Sequence, residues 1–400
     1  MVLRILIRPR VVAIAYVLVS IGAAFQRFAL GPNIVDGHTY THYNNYVIFK
    51  DSFGHLLHGQ DLYVAYPDEH WDLYKYSPTF ALLMLPFAHL PDLLGLALWN
   101  VLGSMALFVG IWRLPIANER WRMGAAWFLV LPLLQSLQNA QSNAHVAGLV
   151  LLAGAWLEAG GAVWAALAIA LGFFVKVYGV GALAIAVMYP GRLKCGGWFV
   201  LWLLGLGLLP LAFVSASQLV WLYDSWGRLM AADQAANTGV SVMGLVENWA
   251  GVSAPKSLLA FAGLALTLLP LARVRAYSSR NFRMVFLAAM LVWMVIFNHK
   301  AEPNTFVIAV AGAAVWYLVR PYTPLRNSLA LLVFVLTCLS TTAVFPTVLR
   351  RSLIQPYSLR VLPCLLVWIA AVIELWQVRG ESNRAAVEGL GSAAASRHQA

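Results

Sequence analysis

The residues of this sequence that could do acid–base chemistry lie close together near its N-terminus. Asp36, His38 and His42 occupy one short polar stretch, with Pro32 before it and Gly37 within it. A carboxylate or an imidazole within hydrogen-bond reach of a substrate hydroxyl can take its proton. An acid on such a turn is more often a solvated loop residue, so its role depends on the segments that surround it. We predict Asp36 as the general base, with His42 and His38 as the next candidates.

The mixture of Asp and His in this stretch also permits a divalent metal, since both side chains are common metal ligands. No spacing here is diagnostic of a metal site. The three cysteines, Cys195, Cys338 and Cys364, lie in one basic loop and two apolar runs, so they form no disulfide or zinc pattern. We therefore predict no metal and no other cofactor.

Positive charges stand at places where they are costly or unexpected. Lys176 interrupts an apolar run, and a cation inside a membrane segment costs about 2.5–3.5 kcal/mol unless it reaches water or a partner. His299 and Lys300 lie in a dense polar turn, and Arg350 and Arg351 form a basic pair. Arginine forks match phosphate oxygens, so we predict that these residues bind a phosphate. Snorkelling of the lysine and contact of the arginines with anionic lipid headgroups are the open alternatives.

Uncharged polar residues form a further group. The stretch from 138 to 143 carries amides and a hydroxyl but no charge, which suits the hydroxyl groups of a sugar. Amides also serve as ordinary helix caps and turns. We predict a sugar or acceptor site formed by this stretch and two later polar segments, with Gln138, Asn139, Gln141, Asn143, Asn237 and Glu302.

The composition indicates the solvent that must surround these residues. The chain is 61% hydrophobic and 11% charged, whereas soluble domains carry about 25% charged residues. Runs of about 20 apolar residues, the length that a bilayer accepts, follow one another. Examples are Val11–Phe28, Trp198–Val214, Met284–Phe297, Ser328–Val344 and Leu359–Trp376. We predict an all-α integral membrane protein, and we read the net charge of +11 as topology signals between the runs rather than a nucleic-acid surface.

The charges between the apolar runs predict a topology. The N-terminal arginines place residue 1 in the cytoplasm, and residues 31–79, with six acids against two lysines, face outward. Keeping the later basic clusters inside requires the stretch Val163–Tyr189 to form two short helices that meet near Lys176; whether it crosses once or twice stays open. About twelve segments (11–13) result, with both termini cytoplasmic and outer loops at 31–79 and 215–255. Residues 1–378 form one transmembrane domain, and residues 379–400 form a disordered cytoplasmic tail.

Two features of the outer side follow from this topology. Residues 44–58 predict an amphipathic helix on the membrane surface, capped by Gly59. Its apolar side holds Tyr46, Phe49, Phe53, Leu56 and Leu57, and its polar side holds Asn44, Asp51, His55 and His58. Arg350, Arg351 and Arg360 also fall on the outer side, against the usual distribution of positive charge.

The order of the motifs is characteristic. Along residues 10–320 come His58-Gly59-Gln60-Asp61-Leu62-Tyr63, Tyr74-Lys75-Tyr76-Ser77-Pro78, Gln138–Asn143, Lys176-Val177-Tyr178, Asn237 with Ser241 and Gly244, and the His299 turn. In this order the chain resembles the multi-pass polyprenyl-phosphate-sugar glycosyltransferases of the GT-C class. It is most similar to glycosyltransferase family 87, the bacterial alpha-mannosyltransferase-like proteins.

The resemblance implies a GT-C type helical bundle in a bacterial inner membrane, with its active site facing outward. It implies an inverting transfer of a sugar, mannose foremost, from a polyprenyl-phosphate donor to a lipid or glycan acceptor. An acid of the first outer loop would act as base, and Tyr76 would join the sugar site. The family usually has Asp four residues before the tyrosine of the interfacial helix, where this chain has His42. Either Asp36 or His42 has taken the base role, or this branch has lost the activity.

Two other classes of function compete with this interpretation. A transporter or flippase also needs polar residues in the membrane, but transporters place them near the midplane and often contain inverted repeats. This sequence contains no repeat, and its polar residues gather on one predicted face. A non-catalytic subunit of an envelope complex is the third reading. A scaffold of that kind would tolerate loss of Asp36 and His42.

Overall fold

The structure is a computed structural model that describes residues 5–233, 238–253, 255–320 and 322–378. Asn237 and the predicted tail, residues 379–400, lie outside the described residues. Helices make up most of the chain, with very little strand, as the predicted all-α membrane class requires.

The first half of the described chain begins with a long helix, followed by a small β-hairpin and a series of helices. These elements are α1 (Pro9–Ala29), β1 (Pro32–Val35), β2 (His38–Thr41), α2 (Asn44–Leu57), α3 (Pro78–Leu83), α4 (Leu85–Ala88), α5 (Asp92–Arg113), α6 (Glu119–Phe128), α7 (Val130–Gln138), α8 (Asn143–Glu158), α9 (Ala162–Val175), a 3-10 helix (Val177–Ala182) and α10 (Leu183–Ala186).

The second half is helical throughout its described elements, several of which continue as 3-10 or π-helical turns. They are α11 (Arg192–Leu208), α12 (Ala216–Asp233), α13 (Val242–Ala250), α14 (Lys256–Leu268), α15 (Arg280–Ile296), α16 (Phe306–Val319), α17 (Pro324–Leu332), α18 (Thr347–Leu349) and α19 (Val361–Gln377). The 3-10 turns are Leu209–Ala212, Leu269–Ala272, Val274–Ser278, Pro303–Thr305 and Leu339–Thr341, and the π-helical turns are Val333–Cys338 and Arg350–Ile354.

Several helices are long and apolar enough to cross a membrane. By length and composition, four in the described part of the chain qualify: Pro9–Ala29, Asp92–Arg113, Arg192–Ala212 and Pro324–Thr341. Shorter apolar helices are Ala162–Val175, Val177–Ala186, Lys256–Ala272, Pro303–Val319 and Val361–Gln377. The membrane class is thus supported, but the predicted count of about twelve spans is not confirmed. Many apolar runs are broken into pieces shorter than the roughly 20 residues that a straight crossing needs.

The break at Lys176 is the one that matters most for the site. The helix α9 ends at Val175, Lys176 is extended (φ −147°, ψ 121°), and the chain resumes as a 3-10 helix at Val177. A Cβ on Gly179 would lie 2.6 Å from the carbonyl carbon and oxygen of Gly172. The two arms therefore pack backbone to backbone, which only glycine permits here. Two helical pieces meet at Lys176, as the sequence predicts; the number of crossings stays a prediction.

The first long connection contains a hairpin that the sequence analysis missed. Strands β1 and β2 pair antiparallel, and their two-residue turn is Asp36-Gly37. Asp36 (φ 52°) and Gly37 (φ 85°) both have positive φ, as a type I′ turn requires. An Asp-Gly pair is a strong local signal for this turn. Asp36 is therefore a hairpin-turn residue, exposed at the tip.

The amphipathic helix predicted at residues 44–58 is present as α2, but the burial of its two sides differs from the prediction. Asn44 and His55 are buried, whereas Leu57 is exposed. The rest of the connection covers the side that was predicted to be polar: the His55 ring stacks on Tyr66 at 3.9 Å, and its Nε2 lies 2.9 Å from the Glu69 carboxylate. Burial lowers the pKa of His55, so the imidazole is neutral at pH 7 and donates Nε2–H to Glu69. The C-terminal end is as predicted, because Gly59 (φ 71°) follows the last helical turn.

The core of the bundle depends on close helix packing. Helix α5 packs along α8, α15 along α16, and α1 along α5. At the α5–α8 crossing, a Cβ on Gly148 would lie 2.4 Å from the Ala106 carbonyl carbon and 2.6 Å from the Leu107 nitrogen. Small residues at such crossings let helix backbones approach, which is how helices associate in lipid.

Partly buried ion pairs lie at the other ends of these helices. Glu158 accepts from Arg283 Nε at 2.6 Å and from the Tyr189 hydroxyl at 2.7 Å. Arg326 donates to both oxygens of Glu374 at 2.7 and 2.5 Å. These pairs tie helices that lie far apart in sequence.

We expect Gly148→Ala to destabilise the protein, because its Cβ would meet backbone atoms that no rotamer can move. Overpacking of this kind costs about 1–3 kcal/mol. The matched control is Gly124→Ala, also inside a helix, where no atom lies within 4 Å of the added Cβ. Thermal unfolding of the detergent-purified variants, followed by tryptophan fluorescence, should give a lower Tm for Gly148→Ala alone. Equal Tm values would refute the close α5–α8 contact.

Candidate active site

One cavity, of about 550 Å³, collects residues from distant parts of the chain. Its lining residues combine charged, amide and aromatic side chains with an apolar wall. They are Asn45, Ile48, Phe49, Asp72, Leu73, Lys75, Tyr76, Gln141, Val175, Lys176, Val177, Tyr178, Val180, Trp226, Met230, Ala260, Trp293, Met294, Phe297, Asn298, His299, Lys300, Glu302 and Thr305. A ligand with a polar head and an apolar tail matches such a lining.

Lys176 is positioned at the end of α9 by a neighbouring helix start. Ser77 caps α3 by accepting the Phe80 N–H, and its hydroxyl donates to the Phe174 carbonyl at 2.7 Å. Pro78 occupies the first helical position, where a backbone N–H would have no partner within the helix, so proline costs no hydrogen bond there. The Tyr-Ser-Pro segment is thereby fixed beside the break at Lys176.

The Lys176 ammonium lies between two aromatic rings. Its Nζ is 6.0 Å from the centre of the Tyr76 ring and 5.9 Å from that of Tyr178. The Tyr76 ring itself packs on Phe80 at 4.7 Å and on Phe49 at 4.8 Å. Two rings at this distance attract a cation and limit its access to water.

A chain of hydrogen bonds connects Lys176 to the polar turn at 298–305. Lys176 Nζ donates to Asn143 Oδ1 at 2.8 Å, and Asn143 Nδ2 donates to the Asn304 carbonyl at 3.1 Å. Asn304 Nδ2 then donates to Glu302 Oε2 at 3.0 Å. Asn143 is fully buried, so its amide acts as a fixed link that positions the ammonium from behind.

The polar turn has its own internal support. Glu302 and Thr305 form a reciprocal capping box around Pro303, and the Lys300 N–H donates to Asn298 Oδ1 at 2.9 Å. Outside the turn, a Cβ on Gly239 (φ 57°) would lie 2.4 Å from the His299 carbonyl oxygen. The close approach of residues 238–240 therefore holds the turn, and this position requires glycine.

Two hydrogen-bond donors of residues that line the cavity are unsatisfied within the described part of the chain. The Tyr178 hydroxyl and the Trp293 Nε1 are buried and make no hydrogen bond to any residue that the structure describes. Buried polar groups are rarely left unsatisfied in proteins, and both residues line the cavity, so a water or a ligand there can supply the missing acceptor. The hydroxyl and ring oxygens of a sugar can accept hydrogen bonds from both donors.

The cavity wall carries two carboxylates. Asp72 is half exposed, accepts the Leu73 N–H at 2.8 Å and lies 3.2 Å from Lys75 Nζ. Glu302 is engaged by its capping box and by Asn304. Asp72 is therefore the less constrained carboxylate on the wall. Within the described residues, no group of three or more His, Cys, Asp or Glu is arranged to hold a metal ion.

The structure brings together part of the predicted phosphate and sugar sets. Lys176, His299 and Lys300 line the cavity, as do Tyr76, Gln141 and Glu302, with Asn143 directly behind the lysine. Three predicted sugar residues have other positions. Gln138 donates to Gln26, Asn139 donates to the Gln135 carbonyl, and Asn237 lies outside the described residues.

The other predicted residues are not among those that line the cavity. Asp36 is at the hairpin tip, the His38 ring stacks on Tyr40, and His42 is half-buried just before α2. Arg350 and Arg351 lie in the connection between α18 and α19. The base and the full phosphate set thus remain predictions, and the cavity offers its own carboxylates for the base.

Sequence analysis missed several cavity residues. Asp72 was counted only as a loop charge, although it lies two residues before the Tyr74–Pro78 motif. Tyr178 was part of the Lys176 motif but was not assigned a role. Their common signal was proximity to a recognised motif, since each lies on an element that the motif fixes. Trp293, inside an apolar helix, gave no signal.

Comparison with known families points to one class of enzyme. The sequence model described as glycosyltransferase family 87 matches residues 74–298, which is more than half of the 400-residue chain. The matched region contains Tyr76, the 138–143 stretch and Lys176, and it ends just before His299. No curated protein matches the chain at a significant level.

We expect Asn143→Ala to lower stability, because it leaves the Lys176 ammonium and the Asn304 carbonyl without their shared partner. Loss of a buried hydrogen-bonding group costs about 1–3 kcal/mol. The control Gln138→Ala removes an exposed amide contact with Gln26 and should change stability by less than about 0.5 kcal/mol. The measurement is the Tm of each purified variant. An Asn143→Ala protein as stable as Gln138→Ala would contradict the bridging role.

Proposed function

Because the chain belongs to glycosyltransferase family 87, we propose that this glycosyltransferase takes its sugar from a polyprenyl-phosphate donor and transfers it in the cavity around Lys176. The supporting observation is that this lysine, the His299–Lys300 pair and two carboxylates line one cavity that also has an apolar wall. A donor of this kind has a charged phosphate, a sugar and a long apolar chain, and the lining has a counterpart for each.

The donor phosphate is proposed to bind at Lys176. The ammonium is fixed by Asn143 and flanked by two rings, so it needs little reorganisation to meet an anion. Prepositioned charge in a site of low water content stabilises developing negative charge more than mobile charge does. His299 and Lys300 line the same cavity and complete a positive region for the leaving group.

The proposed step is a single displacement with inversion. The acceptor hydroxyl oxygen bonds to the anomeric carbon of the sugar while the bond from that carbon to the phosphate oxygen breaks. The bonding electrons leave with the polyprenyl phosphate, whose added charge Lys176 stabilises. The hydroxyl proton passes to a carboxylate, which must lie on the side of the sugar opposite the phosphate.

Asp72 is the carboxylate that we propose as base. Glu302 already accepts hydrogen bonds that hold the polar turn, so its removal would disturb Asn304 and, through Asn143, the lysine. Asp72 has a more exposed carboxylate on the same cavity wall. Asp36 and His42 remain the alternatives from the sequence, and neither is among the residues that line the cavity.

Other parts of the proposal rest on sequence patterns. The acidic connection at 31–79 favours an outward-facing cavity, with both termini cytoplasmic in a bacterial inner membrane. Mannose is proposed as the sugar, and a lipid or glycan as the acceptor. Tyr76, Gln141 and the free donors of Tyr178 and Trp293 would hold the sugar hydroxyls.

We expect the purified protein to transfer radiolabelled mannose from polyprenyl-phosphate-mannose to a membrane lipid extract. Lys176→Met should lower kcat/KM by about 10²-fold or more, because it removes the charge at the leaving phosphate. Lys194→Met changes an exposed lysine away from the cavity and should act as wild type. Assays run with and without a chelator test metal dependence.

Two results would weigh against this proposal. Equal activity of the Lys176→Met and Lys194→Met proteins would remove Lys176 from the phosphate site. No transfer from mannosyl, glucosyl or arabinosyl donors by a folded protein would favour a transporter or an envelope scaffold instead.

Replacing the proposed base gives a separate prediction. Asp72→Asn should lower kcat by about 10²–10⁴-fold, because the amide cannot take the acceptor's proton. The matched control Asp68→Asn alters a carboxylate that is 94% exposed and should have little effect. Initial rates of the same transfer reaction provide the comparison, with Asp36→Asn and His42→Ala run beside them. Loss of activity in either of these, with Asp72→Asn active, would assign the base to the hairpin region.

A further inference from the structure

A second cluster of positive charge lies away from the transfer cavity. The connection between the helical segment that ends at Thr341 and helix α19 runs through residues 342–360 and contains three arginines and no acid. None of these residues lines the cavity. The connection contacts helix α13, because Asn248 Nδ2 donates to Ser358 Oγ at 2.8 Å and Trp249 Nε1 donates to the Tyr357 carbonyl at 2.8 Å. Helix α13 follows Gly239, which packs against the His299 carbonyl of the cavity turn.

Arg360 is a nearly buried cation with no counter-ion among the residues that the structure describes. The residue is 6% exposed, and its Nε is buried without a hydrogen-bond partner in the described part of the chain. Its backbone is fixed, since the Thr337 hydroxyl donates to the Arg360 carbonyl at 2.9 Å. A buried charge is strongly unfavourable unless a partner compensates it. The partner must therefore come from outside the described chain.

Arg350 supplies the second charge of the cluster. Its Nη2 donates to the carbonyls of Thr342 and Phe345, the latter at 3.1 Å, which fixes the guanidinium in place. Its Nε is buried and has no partner among the described residues. The two arginines belong to one folded segment, because the Gln355 N–H donates to the Arg350 carbonyl at 2.9 Å and the Leu359 N–H donates to the Ile354 carbonyl at 3.0 Å. An anion bound at this segment would compensate the charge of Arg360 and give the Arg350 Nε–H an acceptor.

The surroundings indicate what carries this anion. The same connection exposes large apolar side chains, including Val344 (83% exposed) and Val348 (76%), together with Leu349 and Leu353. Exposed apolar groups next to cations are typical of a segment at the boundary between lipid tails and headgroups. A soluble anion would not need this apolar surface. A phosphate at the end of a lipid would match both parts.

We propose that Arg350 and Arg360 form a binding site for a lipid-borne phosphate, separate from the transfer cavity. Two planar forks with unpaired Nε–H groups suit the tetrahedral oxygens of a phosphate, which accept several charge-assisted hydrogen bonds at once. The lipid can be an anionic glycerophospholipid or a polyprenyl phosphate, which share this chemistry. Arg351, which is exposed, lies outside the cluster and serves as a matched control.

The test measures lipid binding, so it does not depend on transfer activity. Delipidated protein in a neutral detergent is titrated with phosphatidylglycerol, polyprenyl monophosphate, phosphatidylcholine or inorganic phosphate, and the Tm is followed by tryptophan fluorescence. We expect phosphatidylglycerol or polyprenyl phosphate to raise the Tm. Arg360→Gln should raise the half-saturating concentration by at least about tenfold, and Arg351→Gln by less than about threefold. The more effective lipid identifies the source of the phosphate.

A further readout separates binding from a purely structural role. Without lipid, Arg360→Gln should unfold at a Tm equal to or above that of the wild type, because an uncompensated buried charge is gone. A lower lipid-free Tm would mean that Arg360 supports the fold, and would overturn the proposal. The proposal would also be overturned if the lipid titrations of Arg360→Gln and Arg350→Gln were both unchanged from the wild type. A full Tm response to inorganic phosphate alone would overturn it as well. Lys176→Met should keep the phosphatidylglycerol response even where transfer is lost.

Discussion

The position of one ammonium group, that of Lys176, determines the arrangement of the cavity. A lysine within an apolar run needs a partner, and here it has the buried amide of Asn143 at 2.8 Å and the faces of two tyrosines. Its backbone is extended, which ends α9 and brings Tyr178 beside it. Asn143 transmits the same constraint to Asn304 and the turn at 298–305. The hydrogen bonds of Lys176 thus connect α9, the start of α8 and the polar turn around the cavity.

Close backbone contacts keep this arrangement rigid. Gly179 packs against Gly172 on either side of the lysine, and Gly239 packs against the carbonyl of His299. Gly148 likewise lets the backbones of α5 and α8 approach closely. Asn143 is the first residue of α8. In lipid, where tails are as apolar as the side chains, such contacts supply much of the attraction between helices. The polar network and the glycine contacts thus support each other.

The two positive clusters differ in how their charge is satisfied. Lys176 has a protein partner and faces an open cavity, as suits a group that meets a different anion in each reaction cycle. Arg360 has no partner in the described chain and is almost fully buried, as suits a ligand that stays bound. The ion pairs at the other end of the bundle, such as Arg326 with Glu374, are already neutralised within the protein.

The amino-acid sequence by itself determined the membrane class, the break at Lys176 and the sets of polar residues at 138–143 and 298–304, because apolar run length and an isolated charge act locally. It also contained the Asp36-Gly37 turn signal, which the sequence analysis did not use. Only the tertiary structure decided that Asp72 lines the cavity while Asp36 lies in the turn of a hairpin, and that His55 is buried. It also decided that the buried Nε of Arg360 has no partner among the described residues. Each of these facts depends on side chains far apart in the chain. Burial and hydrogen bonding are properties of the packed helices, and no local pattern specifies which distant residue will be the neighbour.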